Sequence, residues 1–370
     1  MRIAIDIKHF KHGSSGIARY LTSIMDCLQE IDNKNEYFLF ECRPSTYAVR
    51  NPKWRKILIP WKLSGTFWQQ VLLPYHLRRN KIDVLWAPEQ TCPVLFKKSY
   101  CIVTTIHDLV YIHYPHTCQL TTRIVYSILS PMVFKKSDSL VTVSEYIADD
   151  VRNTFKKLSL NKKIRAIPNG KPDWRLPSTY SPFDREDFLL FVGNLEPRKN
   201  IVNLIKAIII LKQRGLKINL HLAGPQGWKN KKIHEIMNNP EIQKQIIYLG
   251  YLSEEELKNE YLICKALVYP SIYEGFGLPV LEALCLDCLV LTSRKTVMEE
   301  IAKNAAIYFD PNDPEDIATA IEKIYDKTFD REKFLAVSRE GILEEYSWRN
   351  TAEKLLDVLT ETARCYRDEK

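Results

Sequence analysis

The sequence predicts an α/β protein built as two Rossmann-like halves facing across a cleft. Three observations carry that expectation. The chain has 370 residues, which at roughly 150 residues per domain suggests two domains. Short β-rich runs alternate with helical patterns from end to end, as in parallel sheets with crossover helices. The pattern then resets between 168 and 186, where Pro168, Pro172, Pro177 and Pro182, with Asn169-Gly170, interrupt regular structure.

Composition supports this. Apolar residues at 45% and charged residues at 26% give each half its own core and exclude a disordered or fibrous chain. Lys plus Arg number 53 against 45 Asp plus Glu, a balance of +8. That mild basic bias suits anionic ligands or an anionic lipid surface, and over this length it is too small to point to nucleic acid.

In the first half, strands are expected at 3–6, 37–41, 57–59, 84–87, 101–106 and 140–143, most of them followed by helices. The opening Met1-Arg2-Ile3-Ala4-Ile5-Asp6 puts charge within a short apolar stretch, so it reads as a first strand and not as a secretion signal. The longest apolar runs, such as 205–211 and 278–284, fall short of the about 20 residues that a bilayer requires, so a cytoplasmic location is expected. After the linker a second series follows: strand 188–192, helix 201–214, strands 218–223 and 246–249, helix 254–262, strand 266–269, helix 278–286 and strand 289–292. The tail from Pro314 is almost wholly helical. The expected domains are 1–170 and 187–347, joined by the linker 171–186 and followed by a helix over 348–370. Nine cysteines, an odd number scattered through apolar segments, fit reduced thiols, and the Cys285-x-x-Cys288 pair has no second pair or nearby His to make a metal site.

The chemistry concentrates in two stretches of the second half. In 270–283 a strand ends at Tyr269, two glycines form a loop, and Pro279 sits where the first turn of a helix tolerates a missing N–H. A helix N-terminus beside a glycine loop offers free N–H groups and partial positive charge to a phosphate. Glu282, a turn into the helix, suits a vicinal diol such as a ribose, and Glu274 would lie on the far side of the phosphate, near its substituent. Read singly, the two glutamates could equally be solvated surface charges. The second stretch is Gly193-Asn194-Leu195-Glu196-Pro197-Arg198-Lys199-Asn200, directly after a strand. Its adjacent cations, with Asn200 expected to cap the next helix, would form an anion site. Basic residues before a helix are also often just solvated.

Together these stretches resemble the retaining glycosyltransferases of family 4, which have the two-domain GT-B fold. The resemblance rests on Gly193 to Asn200 and on the Glu274-x7-Glu282 spacing. It extends to Gly13-Ser14-Ser15-Gly16-Ile17-Ala18-Arg19-Tyr20, Thr105-Ile106-His107-Asp108-Leu109, Val143-Ser144-Glu145-Tyr146, Pro168-Asn169-Gly170 and Tyr346-Ser347-Trp348. It implies that Arg198 and Lys199 hold the donor diphosphate and that Glu282 binds the nucleoside ribose. Glu274 and the backbone of Phe276, Gly277 and Leu278 would face the donor sugar and phosphates. Gly16 would close on the diphosphate, and His107 would lie near the reacting sugar and acceptor, which the N-terminal domain binds. The helix 348–370 would cross back to that domain. One subset of the family has an arginine where this chain has Asn194, so one phosphate contact is absent or supplied elsewhere. The segments 222–225 and 250–252 resemble the loops that contact the base.

The implied reaction is transfer of a hexose, with retention, from a nucleoside-diphosphate sugar to a glycan or lipid-linked saccharide, with no metal and no other cofactor. No Asp-x-Asp element of the metal-dependent transferases is present. The chain looks most like O-antigen mannosyltransferases, which points to mannose from GDP-mannose and to surface polysaccharide synthesis. Alternatives are a nucleotide-sugar epimerase, a non-catalytic nucleotide-binding protein and a dinucleotide-dependent oxidoreductase. The last is disfavoured because Gly13-x-x-Gly16 is not the G-x-G-x-x-G of that class.

Between 54 and 79 aromatics interleave with cations, from Trp54-Arg55-Lys56 through Trp61-Lys62 and Phe67-Trp68-Gln69-Gln70 to His76-Leu77-Arg78-Arg79. This segment could rest on an anionic membrane, giving a peripheral location at the inner face of the cytoplasmic membrane, or pack its aromatics into the core. Lys135-Lys136 and the run 156–163 add basic surface to the same domain.

Overall fold

The computed structural model describes residues 1–8, 16–160, 162–178, 180–181, 185–339 and 341–368, with backbone alone for 336–339. It forms two compact units: Met1–Ile112, Leu120–Gly170 and Tyr346–Lys370 in unit 1, His113–Gln119 and Lys171–Glu345 in unit 2. The stretch His113–Gln119, which the sequence places in the N-terminal domain, thus packs with unit 2.

Unit 1 is a seven-stranded parallel sheet of β1 (Arg2–Asp6), β2 (Glu36–Glu41), β3 (Trp54–Leu58), β4 (Val84–Ala87), β5 (Cys101–Ile106), β6 (Ser139–Thr142) and β7 (Lys163–Ala166), in the order β3-β2-β1-β4-β5-β6-β7. β4, β5 and β6 are buried along their whole length, as strands covered on both faces must be. The edge strand β7 is unlike them. It alternates cation with apolar residue, and its Lys163 and Arg165 pair with Glu361 at 2.9 and 3.2 Å. Only its first residue, Lys163, falls in the basic run 156–163, and the alternation hides the strand in the sequence.

The helix Trp348–Asp368 packs in unit 1 against the helix Gly16–Ile31 and against β4, β5 and β6. Its start meets the 168–170 segment so closely that a Cβ on Gly170 would lie 2.2 Å from the Trp348 backbone nitrogen. Only glycine fits there. Thr351 Oγ1 donates to the Pro168 carbonyl at 2.7 Å, fixing the same junction.

The 54–79 segment divides its side chains. Trp54 is buried and stacks on Tyr37 at 4.2 Å between centroids. Trp68 is buried with its Nε1 donating to the Ile59 carbonyl at 3.0 Å. Leu73 and Leu77 join Trp68 in a core cluster with Phe38, Phe40 and Leu85. Core packing is therefore what these tryptophans do, and Phe67 and Tyr75 are left exposed.

Unit 2 repeats the plan with six parallel strands: β8 (Phe188–Val192), β9 (Asn219–Ala223), β10 (Ile246–Gly250), β11 (Ala266–Tyr269), β12 (Leu289–Ser293) and β13 (Ile307–Phe309), ordered β10-β9-β8-β11-β12-β13. In both sheets the strand order reverses beside the first strand, between β1 and β4 and between β8 and β11. Ligands of open α/β sheets bind at the carboxyl ends of such strands. Cys285 and Cys288 go separate ways: the Cys288 thiol lies 3.3 Å from that of Cys264, and all nine cysteines are free.

Candidate functional site

At the carboxyl end of β8 the chain makes a close backbone crossing. Gly193 and Gly224, with φ of 148° and 139°, follow β8 and β9, and a Cβ on Gly224 would meet the Gly193 carbonyl oxygen at 2.2 Å. This crossing launches the turn Pro197–Lys199, and the helix Ile201–Gln213 follows it. Asn200 does not cap that helix through its side chain. It adopts φ 60°, and its amide instead donates to the Pro311 carbonyl.

The turn aims two cations at the carboxyl end of β11. Lys199 Nζ donates to Glu274 Oε1 at 2.6 Å and to Tyr269 Oη at 2.7 Å. Arg198 Nη1 donates to Glu274 Oε2 at 2.6 Å and to the Tyr273 carbonyl at 2.9 Å, while Nη2 donates to Glu196 Oε1 at 2.8 Å. The sequence placed Arg198, Lys199 and Glu274 in one site, and the fold brings them into direct contact. It gave no role to Glu196 or Tyr269, whose positions become informative only once β8 and β11 are neighbours.

The electrostatics follow from burial. Burial alone would raise the Glu274 carboxyl, but the Arg198 and Lys199 charges outweigh it and bring the pKa down to about 2. Lys199 moves up: burial opposes its charge, and the Glu274 and Tyr269 neighbours more than compensate. Glu196 goes the other way, raised by burial that Arg198 and Lys199 offset only in part, and its Oε2 is buried without a hydrogen-bond partner.

The helix Leu278–Cys285 begins beside this cluster, with Gly277 before it at φ 101° and Pro279 in its first turn. Gly277, Phe276 and Leu278 thus form the loop-to-helix corner expected from the sequence. Glu282, buried in that helix, accepts from Tyr261 Oη at 2.8 Å. Tyr261 was not legible as a site residue, because its helix Glu254–Ile263 lies far away in sequence. The stretch His113–Gln119 adds aromatic walls: the His113 and Tyr114 rings lie 5.6 and 5.7 Å from that of Tyr273.

In unit 1, residues 13–15 of the glycine loop lie outside the described residues, and Gly16 is the first residue of the helix Gly16–Ile31. His107 follows β5, and its Nε2 lies 2.6 Å from the Pro88 carbonyl. A carbonyl only accepts, so Nε2 carries the proton. Burial lowers the His107 pKa, partly offset by that carbonyl, and the ring stands edge-on to Tyr20 at 5.0 Å.

The carboxyl ends of β1 and β4 hold a group the sequence did not announce. Buried Lys8 lies 3.2 Å from Asp6 Oδ2 and 3.3 Å from Glu89 Oε2. Gln69 donates to Asp6 Oδ2 at 2.6 Å and to the Thr91 carbonyl at 3.0 Å. Burial opposes the Lys8 charge, and the two carboxylates reverse that effect and raise its pKa. The available signal was Asp6 itself, a charge at the end of an apolar strand. Among the described residues, no cluster of three His, Cys, Asp or Glu side chains could hold a metal ion.

Two family models cover the chain in succession. Glycosyltransferase Family 4 matches residues 14–172 and Glycosyl transferases group 1 matches residues 174–340, so between them they take in most of the chain. O-antigen chain mannosyltransferase B of Escherichia coli is 33% identical over 177 residues, 47% of this chain and 45% of that protein. O-antigen chain mannosyltransferase RfbU of Salmonella typhimurium is 29% identical over 222 residues, 60% of each chain. The matched stretch thus spans about half of these relatives' length. Among solved structures, WaaG, a glycosyltransferase involved in lipopolysaccharide biosynthesis, superposes with a TM-score of 0.71 at 15% identity over 97% of this chain and 99% of that one. HepE of Anabaena, in complex with UDP and glucose, gives 0.69 at 14% identity over the same shares. At these identities the likeness speaks to fold, and it agrees with the sheet orders described above. The chain belongs to the family 4 glycosyltransferases and has the GT-B fold.

Proposed function

We propose that this protein is a retaining, metal-independent glycosyltransferase that moves a hexose, mannose from GDP-mannose in the first instance, to a glycan or lipid-linked saccharide during surface polysaccharide synthesis. The observation that supports it most is the Arg198, Lys199 and Glu274 cluster at the switch point of unit 2, beside a glycine corner that opens a helix. The curated O-antigen mannosyltransferases among its relatives support the sugar and the pathway class.

In this reading the bond from C1 of the sugar to the diphosphate oxygen breaks, and negative charge grows on that oxygen. Lys199 has three N–H groups, of which Glu274 and Tyr269 take two, and the third donates to the phosphate. Glu274 holds both cations in place before substrate arrives, so little reorganisation is needed as charge develops. Fixed cations at the leaving group make a divalent ion unnecessary. The acceptor hydroxyl attacks C1 from the face that the phosphate leaves, and its proton passes to the departing phosphate oxygen. Glu282, oriented by Tyr261, binds the ribose. In unit 1, neutral His107 orients a substrate hydroxyl, and Gly16 allows close backbone approach to phosphate. A lipid-linked acceptor would place the enzyme at the cytoplasmic face of a membrane.

The test is transfer from GDP-mannose, and from UDP-sugars in parallel, to a lipid-linked saccharide in the presence of EDTA, with the product anomer read by NMR. Transfer with the donor's anomeric configuration is expected. Loss of activity in EDTA, inversion at C1, or epimerised free sugar nucleotide would each overturn the corresponding part.

A further inference from the structure

The Arg198, Lys199 and Glu274 cluster holds a fourth charge, Glu196. Arg198 reaches both carboxylates, Glu274 through Nη1 at 2.6 Å and Glu196 through Nη2 at 2.8 Å, and Lys199 reaches Glu274 at 2.6 Å. The two cations are thus already balanced by two buried carboxylates, Glu196 at 1% and Glu274 at 7% exposure. A nucleoside-diphosphate sugar adds the negative charge of its diphosphate to this place. Added charge in a buried site is costly unless compensated, and a carboxylate can compensate by taking a proton.

The two carboxylates are not equally able to do so. Glu274 has partners on each oxygen, Lys199 and Tyr269 at Oε1 and Arg198 at Oε2, and these hold it ionised. Glu196 is bound by Arg198 at Oε1, and its Oε2 is buried with no hydrogen-bond partner among the described residues. Backbone closes over it: a Cβ on Gly227 would lie 3.1 Å from Glu196 Cβ, and the Leu195 amide donates to the Pro225 carbonyl at 3.1 Å. That covering segment, Gly224-Pro225-Gln226-Gly227, carries no titratable side chain, and Lys229 beyond it donates to the His116 carbonyl at 2.6 Å. The charges facing Glu196 are therefore Arg198 and Lys199 on its own turn and Glu274 from the loop after β11. Tyr269 and Tyr273 lie beside the cations, and His113 lies against Tyr273. Of the two carboxyls, Glu196 is the one that burial already pushes toward its neutral form.

From this geometry we propose that Glu196 takes up a proton from solvent as the sugar nucleotide binds, and so releases the positive charge of Arg198 to the donor diphosphate. Protonation leaves Oε1 able to accept from Arg198 Nη2, so the guanidinium keeps its position while its charge is freed. The unpartnered Oε2 then carries no charge, and a neutral buried group costs less than an ionised one. The inference rests on the proposed donor and adds to it a proton-binding residue that the donor site cannot do without at high pH.

The test is isothermal titration calorimetry of the full chain with GDP-mannose, and with UDP-glucose in parallel, across pH 5 to 8 in buffers of different ionisation enthalpy. Sugar nucleotides suit it because their phosphates are diesters, without the terminal phosphate that titrates at about pH 6. Uptake of about one proton is expected, with binding up to about tenfold tighter per pH unit toward acid. Glu196→Gln keeps an acceptor oxygen for Arg198 and carries no charge. It should bind without that uptake, and at pH 8 about tenfold or more tightly than the wild type. Any histidine that responds to the donor does so in both proteins, so the difference isolates Glu196. On binding, the infrared difference spectrum of the wild type should gain a protonated-carboxyl C=O band, a signature that does not depend on the variant folding. Wild-type binding without proton uptake or without that band, uptake that persists in Glu196→Gln, or weaker binding by the variant at pH 8 would overturn the inference and leave the donor reading standing. Failure of the wild type to bind either sugar nucleotide at any pH would overturn both.

Discussion

Replacing Glu274 by Gln keeps the shape of the side chain and removes its charge, so the variant imitates the protonated carboxyl. The folded-state pKa of about 2, against an ordinary value of 4.5, means that the charged form is favoured by about 3 kcal/mol when Arg198 and Lys199 surround it. Because the folded pKa is depressed, this stabilisation is fully present above about 4.5 and is lost as pH falls toward 2. Glu274→Gln should therefore lower the melting temperature of unit 2 at pH 7 by roughly 6 to 12 °C, taking about 2 to 4 °C per kcal/mol for a unit of this size. The gap between variant and wild type should narrow as pH drops below about 4.5. The assay is differential scanning calorimetry of both proteins across pH 3 to 8. Equal melting temperatures at pH 7, or a gap that does not change with pH, would refute the claim that Glu274 is a buried carboxylate held by two cations.

Three further outcomes follow from the same geometry. Lys199→Ala removes a donor aimed at the leaving phosphate and should cut kcat by about 100-fold or more; near-normal turnover would remove Lys199 from the chemistry. Tyr261→Phe deletes the hydrogen bond to buried Glu282, worth about 1.5 kcal/mol for a charged acceptor, so the donor KM should rise roughly tenfold with kcat nearly unchanged. A fall in kcat at constant KM would instead tie Glu282 to bond breaking. Gly277→Ala forces a side chain into φ 101° and places its Cβ 2.7 Å from the end of Met298. Met298 can move aside and the backbone cannot, so a loss of about 1 to 3 kcal/mol is expected in urea unfolding, and an unchanged midpoint would contradict the strain.

Much of this architecture was readable because parallel strands buried on both faces leave near-continuous apolar runs. Leu189, Leu190 and Phe191 in β8, and Leu267 and Val268 in β11, announce their strands directly. Edge strands leave a weaker trace: β7 alternates cation with apolar residue over four residues, and β13 has only three residues. Arg198, Lys199, Glu274 and Glu282 stood out through local spacing around glycine and proline. Glu196, Tyr261 and Tyr269 did not, since their partners come from other strands and helices. The same holds for Lys8 and Glu89, 81 positions apart in sequence, which meet only because β1 and β4 are neighbours. The seven residues His113–Gln119 give no compositional sign that they pack with unit 2. In the 54–79 segment the pattern of aromatics and cations was compatible with either a core or a lipid face, and only burial distinguished Trp54 and Trp68 from Phe67 and Tyr75.

The most direct measurement is a thermal-shift titration of wild type and Lys199→Ala with GDP, UDP, ADP, dTDP and CMP and their sugar conjugates, with NAD and NADP as controls. A ligand that binds only the folded state raises the melting temperature. A site built on Arg198, Lys199 and Glu282 should respond to one nucleoside diphosphate and its sugars, and the response should fall sharply in the Lys199→Ala protein. A shift with NAD or NADP alone, or a nucleoside-diphosphate shift that Lys199→Ala leaves intact, would contradict it.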